Sequence, residues 1–261
     1  MSSLQGKIAF ITGASSGIGR ACAQKMAELG ANVIIAARRL DALTDLAAQI
    51  EKNYGVRVLV IRLDVTDRLQ VASELNKRPS DWKQIDILVN NAGLALDLAP
   101  IQTGNPEDWD TMLDTNVKGL LAVTQAVVKD MLAAKTGHIV NIGSISSHEV
   151  YSGGVVYCAS KFAVKAITQG LRLDVHGTGL RVTAVDPGLV ATEFSNVRFD
   201  HDEKKAKAVY AGMRPLLPED VADAVVYCVT RPKHVSVAEL KLYPTDQSSS
   251  QLVHRRKTTH E

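Results

Sequence analysis

The chain has 261 residues, 46% of them hydrophobic and 22% charged, with a formal net charge of +2. That composition fits one large α/β domain or two small ones, and so small a net charge gives no global case for nucleic acid or an anionic membrane as partner. No apolar run approaches the ~18 residues of a membrane span, and the start, "MSSLQGKIAF", lacks a signal-peptide core.

A first strand is predicted at 7–11 ("KIAFI"), followed by "TGASSGIGR" and a helix over 17–29. The second strand, "NVIIAA" (32–37), runs straight into Arg38 and Arg39 and then a helix over 40–52. "RVLVIRL" (57–63) is the third, ending in Asp64 and Val65, with a helix over 67–77. "IDILVN" (85–90) runs into "NNAG" (90–93), and a long helix is expected over 106–134. "HIVNIG" (138–143) precedes a helix over 154–176, and "RVTAVD" (181–186) precedes helices over 201–212 and 218–230. "VAELKLY" (237–243) is the last strand.

The strands are continuously apolar rather than alternating, so both faces are buried. Strands alternating with helices give a parallel sheet covered on each side, and right-handed crossovers make it doubly wound. The expectation is a single α/β domain with a Rossmann sheet of about seven strands, spanning residues 1–246. Residues 247–261 read as a polar, solvated tail, a reading preferred over a nucleic-acid patch for its basic cluster Arg255–Lys257. Three cysteines, Cys22, Cys158 and Cys228, lie far apart with no CxxC pair, which argues for a reducing cytoplasm and against a disulfide framework or zinc cage. Seven histidines show no HExxH spacing, so no metal site is expected.

Gly13, Gly17 and Gly19 lie between the first strand and its helix. A dinucleotide pyrophosphate would meet backbone N–H groups and the positive end of the helix dipole there, at Ser15, Ser16 and Ile18. In a doubly wound sheet the end of the second strand lies beside the adenosine ribose. An acid there would favour NAD. Arg38 and Arg39 instead suit the extra phosphate of NADP, since one charge-assisted hydrogen bond is worth roughly 1.5–3 kcal/mol and about 1.4 kcal/mol is tenfold in affinity. Asp64 and Val65 would lie near the adenine, and Asn91, Ala92 and Gly93 would border the cofactor.

Tyr157 and Lys161, spaced i, i+4 in "VYCASKFAV", share one helix face. Ser144 ends the preceding strand, at the sheet edge where ligands bind. A tyrosine that moves protons near neutral pH must be lowered by about three units, or ~4 kcal/mol. An ammonium at ~4 Å supplies about that much at an effective dielectric of ~20.

Together, "TGASSGIG", "NNAG", Asn116 in "LDTNVKG", Ser144, "YCASK" and "DPGLVAT" resemble the short-chain dehydrogenase/reductase family, in order over residues 7–192. The resemblance implies a tetrad of Asn116, Ser144, Tyr157 and Lys161. Tyr157 would move the substrate hydroxyl proton and Ser144 would hold the substrate oxygen. Lys161 would lower the Tyr157 pKa and bind the nicotinamide ribose, and Asn116 would hold a water linking Lys161 to solvent. Pro187, Gly188, Val190 and Thr192 would pass close to the nicotinamide and phosphates, and a lid near 189–215 would fold over the pocket. "GLVATEFSNVRF", "PLLPEDVADAV" and "RPKHVSVAELKLYPTDQ" are further similar to the NADP-dependent 3-hydroxy acid dehydrogenases, which act on serine, allo-threonine and related acids. That implies a small-molecule substrate and a homotetramer paired through the helices at 106–134 and 154–176, with Ala122, Val123, Ala163 and Ala166 as a candidate face. A 3-oxoacyl carrier-protein reductase and a non-catalytic NADP sensor are the competing readings. Arg198 is the candidate for a substrate carboxylate; a salt bridge to Glu193 or Asp200 is the structural alternative, and Arg255 of a neighbouring subunit is another cation for the acid.

Overall fold

The structure, a computed structural model, describes residues 3–200 and 202–256. Seven strands form one sheet: β1 (Ile8–Thr12), β2 (Asn32–Ala37), β3 (Val58–Arg62), β4 (Ile87–Asn90), β5 (Gly137–Ile142), β6 (Leu180–Pro187) and β7 (Glu239–Leu242). Their order is β3-β2-β1-β4-β5-β6-β7, and every pairing is parallel. The helices are α1 (Gly17–Glu28), α2 (Leu40–Tyr54), α3 (Arg68–Asn76), α4 (Pro106–Leu113), α5 (Leu120–Ala134), α6 (Val155–Asp174), α7 (Phe194–Arg198), α8 (Glu203–Ala208) and α9 (Pro218–Val229).

Both faces of the central strands are apolar, with alternate residues going to opposite cores. Ala9, Ile11, Val33 and Ile35 join α1, α2 and α9 in one cluster, and Ile8, Phe10, Ile34 and Ala36 join α3 and α5 in the other. This is the doubly wound sheet expected. The winding reverses between β1 and β4, which are neighbours in the sheet but not in sequence. A crevice therefore opens past their carboxyl ends, the usual ligand position in such sheets.

Two helices depart from expectation. The segment 106–134 is broken by a π-helical turn at Asp114–Gly119. Within that turn the Asn116 amide is committed sideways to the backbone of Leu94, and a Cβ at Gly119 would meet Val65 at 2.7 Å. The expected 201–212 helix is the shorter α8, and α7, which was not expected, precedes it. Asp200 has a left-handed backbone (φ 48°), and Asp202 caps α8 by accepting the Lys204 and Lys205 N–H groups at 3.0 and 3.1 Å.

The segment expected as a loose tail is tied down over its described part. Ser250 donates to Glu149, Arg255 donates to the carbonyls of Val209 and Ala211, and Arg256 pairs with Asp246 at 3.0 Å. Lys257 lies outside the described residues. The C-terminal segment thus braces the loop around α8.

Candidate active site

The crevice is assembled from the ends of β1 and β4. Thr12 Oγ1 accepts the N–H groups of Asn91 and Ala92 at 3.0 and 3.1 Å. Asn91 Nδ2 returns hydrogen bonds to the carbonyls of Thr12 and Gly13 at 3.0 and 3.2 Å. Gly13 has φ +65°, and a Cβ on it would sit 2.8 Å from Asn91 Nδ2. A Cβ on Gly19 would collide with the Gly13 carbonyl. Glycine at both positions lets the turn fold tightly under the start of α1. Ser16, the N-cap of α1, makes no side-chain cap hydrogen bond. The first N–H groups of this twelve-residue helix therefore have no side-chain acceptor, and with its dipole they suit an anionic pyrophosphate. Ser15, Gly17 and Ile18 are half-buried along the same turn.

Arg38 and Arg39 follow β2 and are exposed. Arg39 Nε donates to Ser15 Oγ at 3.2 Å, and its Nη2 pairs with Glu193 at 2.9 Å. Asp64 is held by Thr66, whose N–H and hydroxyl donate to Oδ1 at 3.0 and 2.8 Å, and Val65 beside it is buried. Gly93 lies against Asn116, and the Thr192 methyl faces Gly17. Pro187 ends β6, Gly188 bonds to the carbonyl of Leu242, and the Val190 carbonyl accepts the Tyr210 hydroxyl at 2.7 Å. A glycine cradle, an open helix N-terminus and a cation pair at the second strand end are the features NADP requires.

Across the crevice lie Asn116, Ser144, Tyr157 and Lys161, at most 8% exposed. Ser160 links two of them: its hydroxyl accepts from Asn116 Nδ2 at 3.0 Å and donates to the Tyr157 carbonyl at 2.7 Å. Both amide hydrogens of Asn116 are thereby used, one on Leu94 and one on Ser160. A water donating to Asn116 has only its oxygens to use. Lys161 donates to the Ile142 carbonyl at 3.0 Å, and its Nζ lies 5.9 Å from the Tyr157 ring centroid.

The electrostatics differ from the simple expectation that Lys161 alone lowers Tyr157. Burial pushes the Tyr157 pKa well above the usual range; the opposing influences are Arg198 first and a hydrogen bond from Ser144 second. Lys161 is itself pushed down by burial to about 8, with Asp186 resisting the shift. At 5.0 Å from the Tyr157 centroid, Arg198 lies nearer the ring than Lys161 does.

Arg198 ends α7. Its guanidinium also lies 5.1 Å from the Phe194 ring centroid and 5.9 Å from that of Tyr151, and Nη2 donates to the Tyr151 hydroxyl at 3.0 Å. Its Nε is buried with no partner. Among the described residues it forms no ion pair with Glu193 or Asp200; Glu193 is taken by Arg39. Arg255, the other candidate cation, is spent on backbone carbonyls of its own chain. An enclosed cation with a free N–H, stacked on Tyr157, can receive a small anion beside a reacting hydroxyl.

Residues 7–203 match the family model for short chain dehydrogenases. The chain belongs to the short chain dehydrogenase family. Within this family it is 41% identical over 257 residues to an NADP-dependent 3-hydroxy acid dehydrogenase of Schizosaccharomyces pombe, covering 98% of this chain and 99% of that one. It is 44% identical over 244 residues to sulfoacetaldehyde reductase 2 of Chromohalobacter salexigens, covering 93% and 96%. Among solved structures, the closed form of serine dehydrogenase complexed with NADP+ is 43% identical with a TM-score of 0.90, covering 95% of this chain and all of that chain.

For a short chain dehydrogenase, four structural partners stand out that the sequence reading did not assign. Tyr151 and Phe194 enclose Arg198, Glu193 engages Arg39, and Asp186 accepts the Ser144 N–H at 3.1 Å. Tyr151 lies just ahead of α6, and two tyrosines six apart around one helix start were the available signal. Asp186 sat inside a quoted motif, but its partners come from three other elements.

Proposed function

We propose that this enzyme transfers a hydride between NADP and the hydroxyl carbon of a small 3-hydroxy acid. The reverse reaction reduces an aldehyde acid such as malonic semialdehyde. The observation that carries the substrate class is Arg198: a cation enclosed by Tyr151, Tyr157 and Phe194, with a buried Nε that has no partner. Arginine's planar fork matches a carboxylate bidentately. The relatives named for 3-hydroxy acids, serine and sulfoacetaldehyde share a small substrate with a hydroxyl or aldehyde near an anionic or zwitterionic group, which supports the same reading.

Gly13, Ser15, Ser16, Gly17, Ile18 and Gly19 would hold the pyrophosphate, and Arg38 and Arg39 the 2′-phosphate. Asp64, Val65, Asn91, Ala92 and Gly93 would line the adenosine side; Pro187, Gly188, Val190 and Thr192 the nicotinamide side. When bound, NADP supplies the carbon that accepts or gives the hydride. Ser144 holds the substrate oxygen. Tyr157 takes the hydroxyl proton in oxidation and returns it in reduction. The positive charges of Arg198 and Lys161 favour its phenolate, while burial opposes it. Lys161 would also hold the nicotinamide ribose, and Asn116 fixes the Leu94 backbone beside the site.

Three buried free thiols support a cytoplasmic setting. Leu121 and Leu132 on α5 and Phe162 on α6 are each more than a third exposed and support pairing of these helices in a tetramer. Val123 is not part of that face: it is 1% exposed and packs in the core against β4 and β5. Ala122 packs, partly buried, against the same core, whereas Ala166 is exposed and Ala163 partly so.

The test is a panel of 3-hydroxy acids, a hydroxysulfonate and simple alcohols, each with NADP+ and NAD+, read by absorbance of the reduced cofactor. Turnover of the acids with NADP+ is expected. Turnover of neutral alcohols only would remove the acid reading, and preference for the sulfonate would move it to the sulfoacetaldehyde class.

A further inference from the structure

Behind Ser144 lies a chain of ionisable side chains: Asp186, His148 and Lys165. Asp186, from β6, is 1% exposed. Its Oδ1 accepts the Ser144 N–H at 3.1 Å, and it comes so near the preceding residue, Gly143, that a Cβ there would overlap it. Its Oδ2 lies 2.8 Å from His148 Nε2, and His148 Nδ1 lies 2.7 Å from Lys165 Nζ. Lys165 is one turn beyond Lys161 on α6.

The direction of these bonds follows from chemistry. An ammonium only donates, so Lys165 donates to Nδ1; the ring hydrogen is then on Nε2 and is donated to Asp186. Donation runs from Lys165 through His148 to Asp186, and Asp186 in turn accepts from Ser144. The other charged groups around the carboxylate are few. Glu239 on β7 lies 3.8 Å from the same Nε2 and pairs with Lys241 at 3.6 Å. Glu149 is turned away onto Ser250 and Tyr243. Lys161 approaches from the Tyr157 side, where Asp186 supports its charge against burial. Burial pushes the Asp186 pKa up, and the His148 hydrogen bond is the largest influence opposing it.

His148, Asp186 and Glu239 also bring ligand atoms within 4.8 Å of one another. A metal on Nε2 would leave the ring hydrogen on Nδ1, facing the Lys165 ammonium donor to donor. Metal-binding histidines instead give that hydrogen to an acceptor. The arrangement is built for a proton on Nε2.

We propose that His148 is a positioning residue: backed by Lys165, it holds the Asp186 carboxylate so that one charged group both fixes the Ser144 backbone and faces Lys161. Without that donor, a buried carboxylate oxygen is left unpaired, which costs the charged form heavily. Neutral Asp186 no longer sustains Lys161, and Tyr157 then ionises at higher pH. The inference rests on Ser144, Tyr157 and Lys161 being the reacting set.

The experiment uses the NADP-loaded protein with His148→Leu, His148→Gln and Asp186→Asn. Two readouts are taken against pH: kcat for oxidation, and tyrosinate absorbance corrected with Tyr157→Phe. His148→Leu is expected to move both transitions up by about one unit, a ~10-fold loss of kcat in the lower part of the profile, with NADP affinity unchanged. His148→Gln, whose amide can donate to Asp186, is expected to restore most of the shift. Asp186→Asn keeps an oxygen for the Ser144 N–H but loses the charge, and is expected to shift like the leucine variant; it carries the test alone if that variant fails to fold. Unshifted transitions in His148→Leu and Asp186→Asn, or a pH-independent loss that glutamine does not restore, would overturn the proposal. The tyrosinate readout needs no turnover, so a wild type inactive on hydroxy acids would reject the substrate reading while leaving this test intact.

Discussion

Two arginine sites flank the crevice, and they are built in opposite ways. Arg39 at the end of β2 is about half exposed, and its ion pair with Glu193 is equally open to water. Arg198 is closed in by three aromatic rings, and one of its N–H groups has no partner. An exposed cation keeps much of its hydration and exchanges partners at small cost, so it suits a choice between two related cofactors. An enclosed cation has lost hydration and gains more from an anion that reaches it. The two are joined through α7, since Glu193 immediately precedes the helix that Arg198 ends.

The largest expected effect lies between the two sites. Tyr157→Phe removes the proton shuttle and keeps the ring against Arg198. Oxidation is expected to fall by at least ~10²-fold, as for loss of a general base, while both cofactor and acid still bind. Wild-type oxidation should rise with pH as Tyr157 loses its proton, and reduction should fall over the same range. Near-normal turnover, or flat profiles with hydride transfer limiting, would break the account.

Replacing Arg38 and Arg39 by alanine is expected to weaken NADP about 10- to 100-fold, the loss of one charge-assisted hydrogen bond at roughly 1.5–3 kcal/mol. NAD lacks the phosphate and should be nearly unaffected in a titration of both cofactors. Equal losses would show that the pair has no role at the 2′-phosphate.

The smallest effect sharpens the contrast. Glu193→Gln releases Arg39 from an exposed ion pair worth about 0.2–1 kcal/mol. NADP should then bind about 1.4- to 5-fold more tightly in the same titration, with NAD unchanged. Weaker NADP binding would mean that Glu193 holds Arg39 in place for the phosphate rather than competing for it.

All seven strands were legible in the sequence because most are short apolar runs bounded by turn residues or charges, and β7 alternates Glu239 and Lys241 with leucines. The glycine turn was legible too, because a dinucleotide cradle is built mostly from consecutive residues. The segment at 189–215 was less so. Its helices are six residues or shorter, too short for periodicity, and Asp202 starts the second of them through a cap rather than an apolar pattern. The surroundings of Arg198 escaped for a different reason. Phe194 is far along the chain from Tyr151 and Tyr157, and the three meet only where α7 packs over the start of α6. The partner of Glu193 escaped likewise: the alternative pairing with Arg198 rested on nearness in sequence, and in space Glu193 meets Arg39, 154 residues away.

The measurement that tests the central claim most directly is kcat/KM of Arg198→Met on a 3-hydroxy acid and on its methyl ester. If Arg198 receives the carboxylate, the acid should lose about 10- to 100-fold, matching roughly 1.5–3 kcal/mol for a charged hydrogen bond, and the ester should hardly change. Equal losses on acid and ester would contradict the account, returning Arg198 to a structural role over Tyr157.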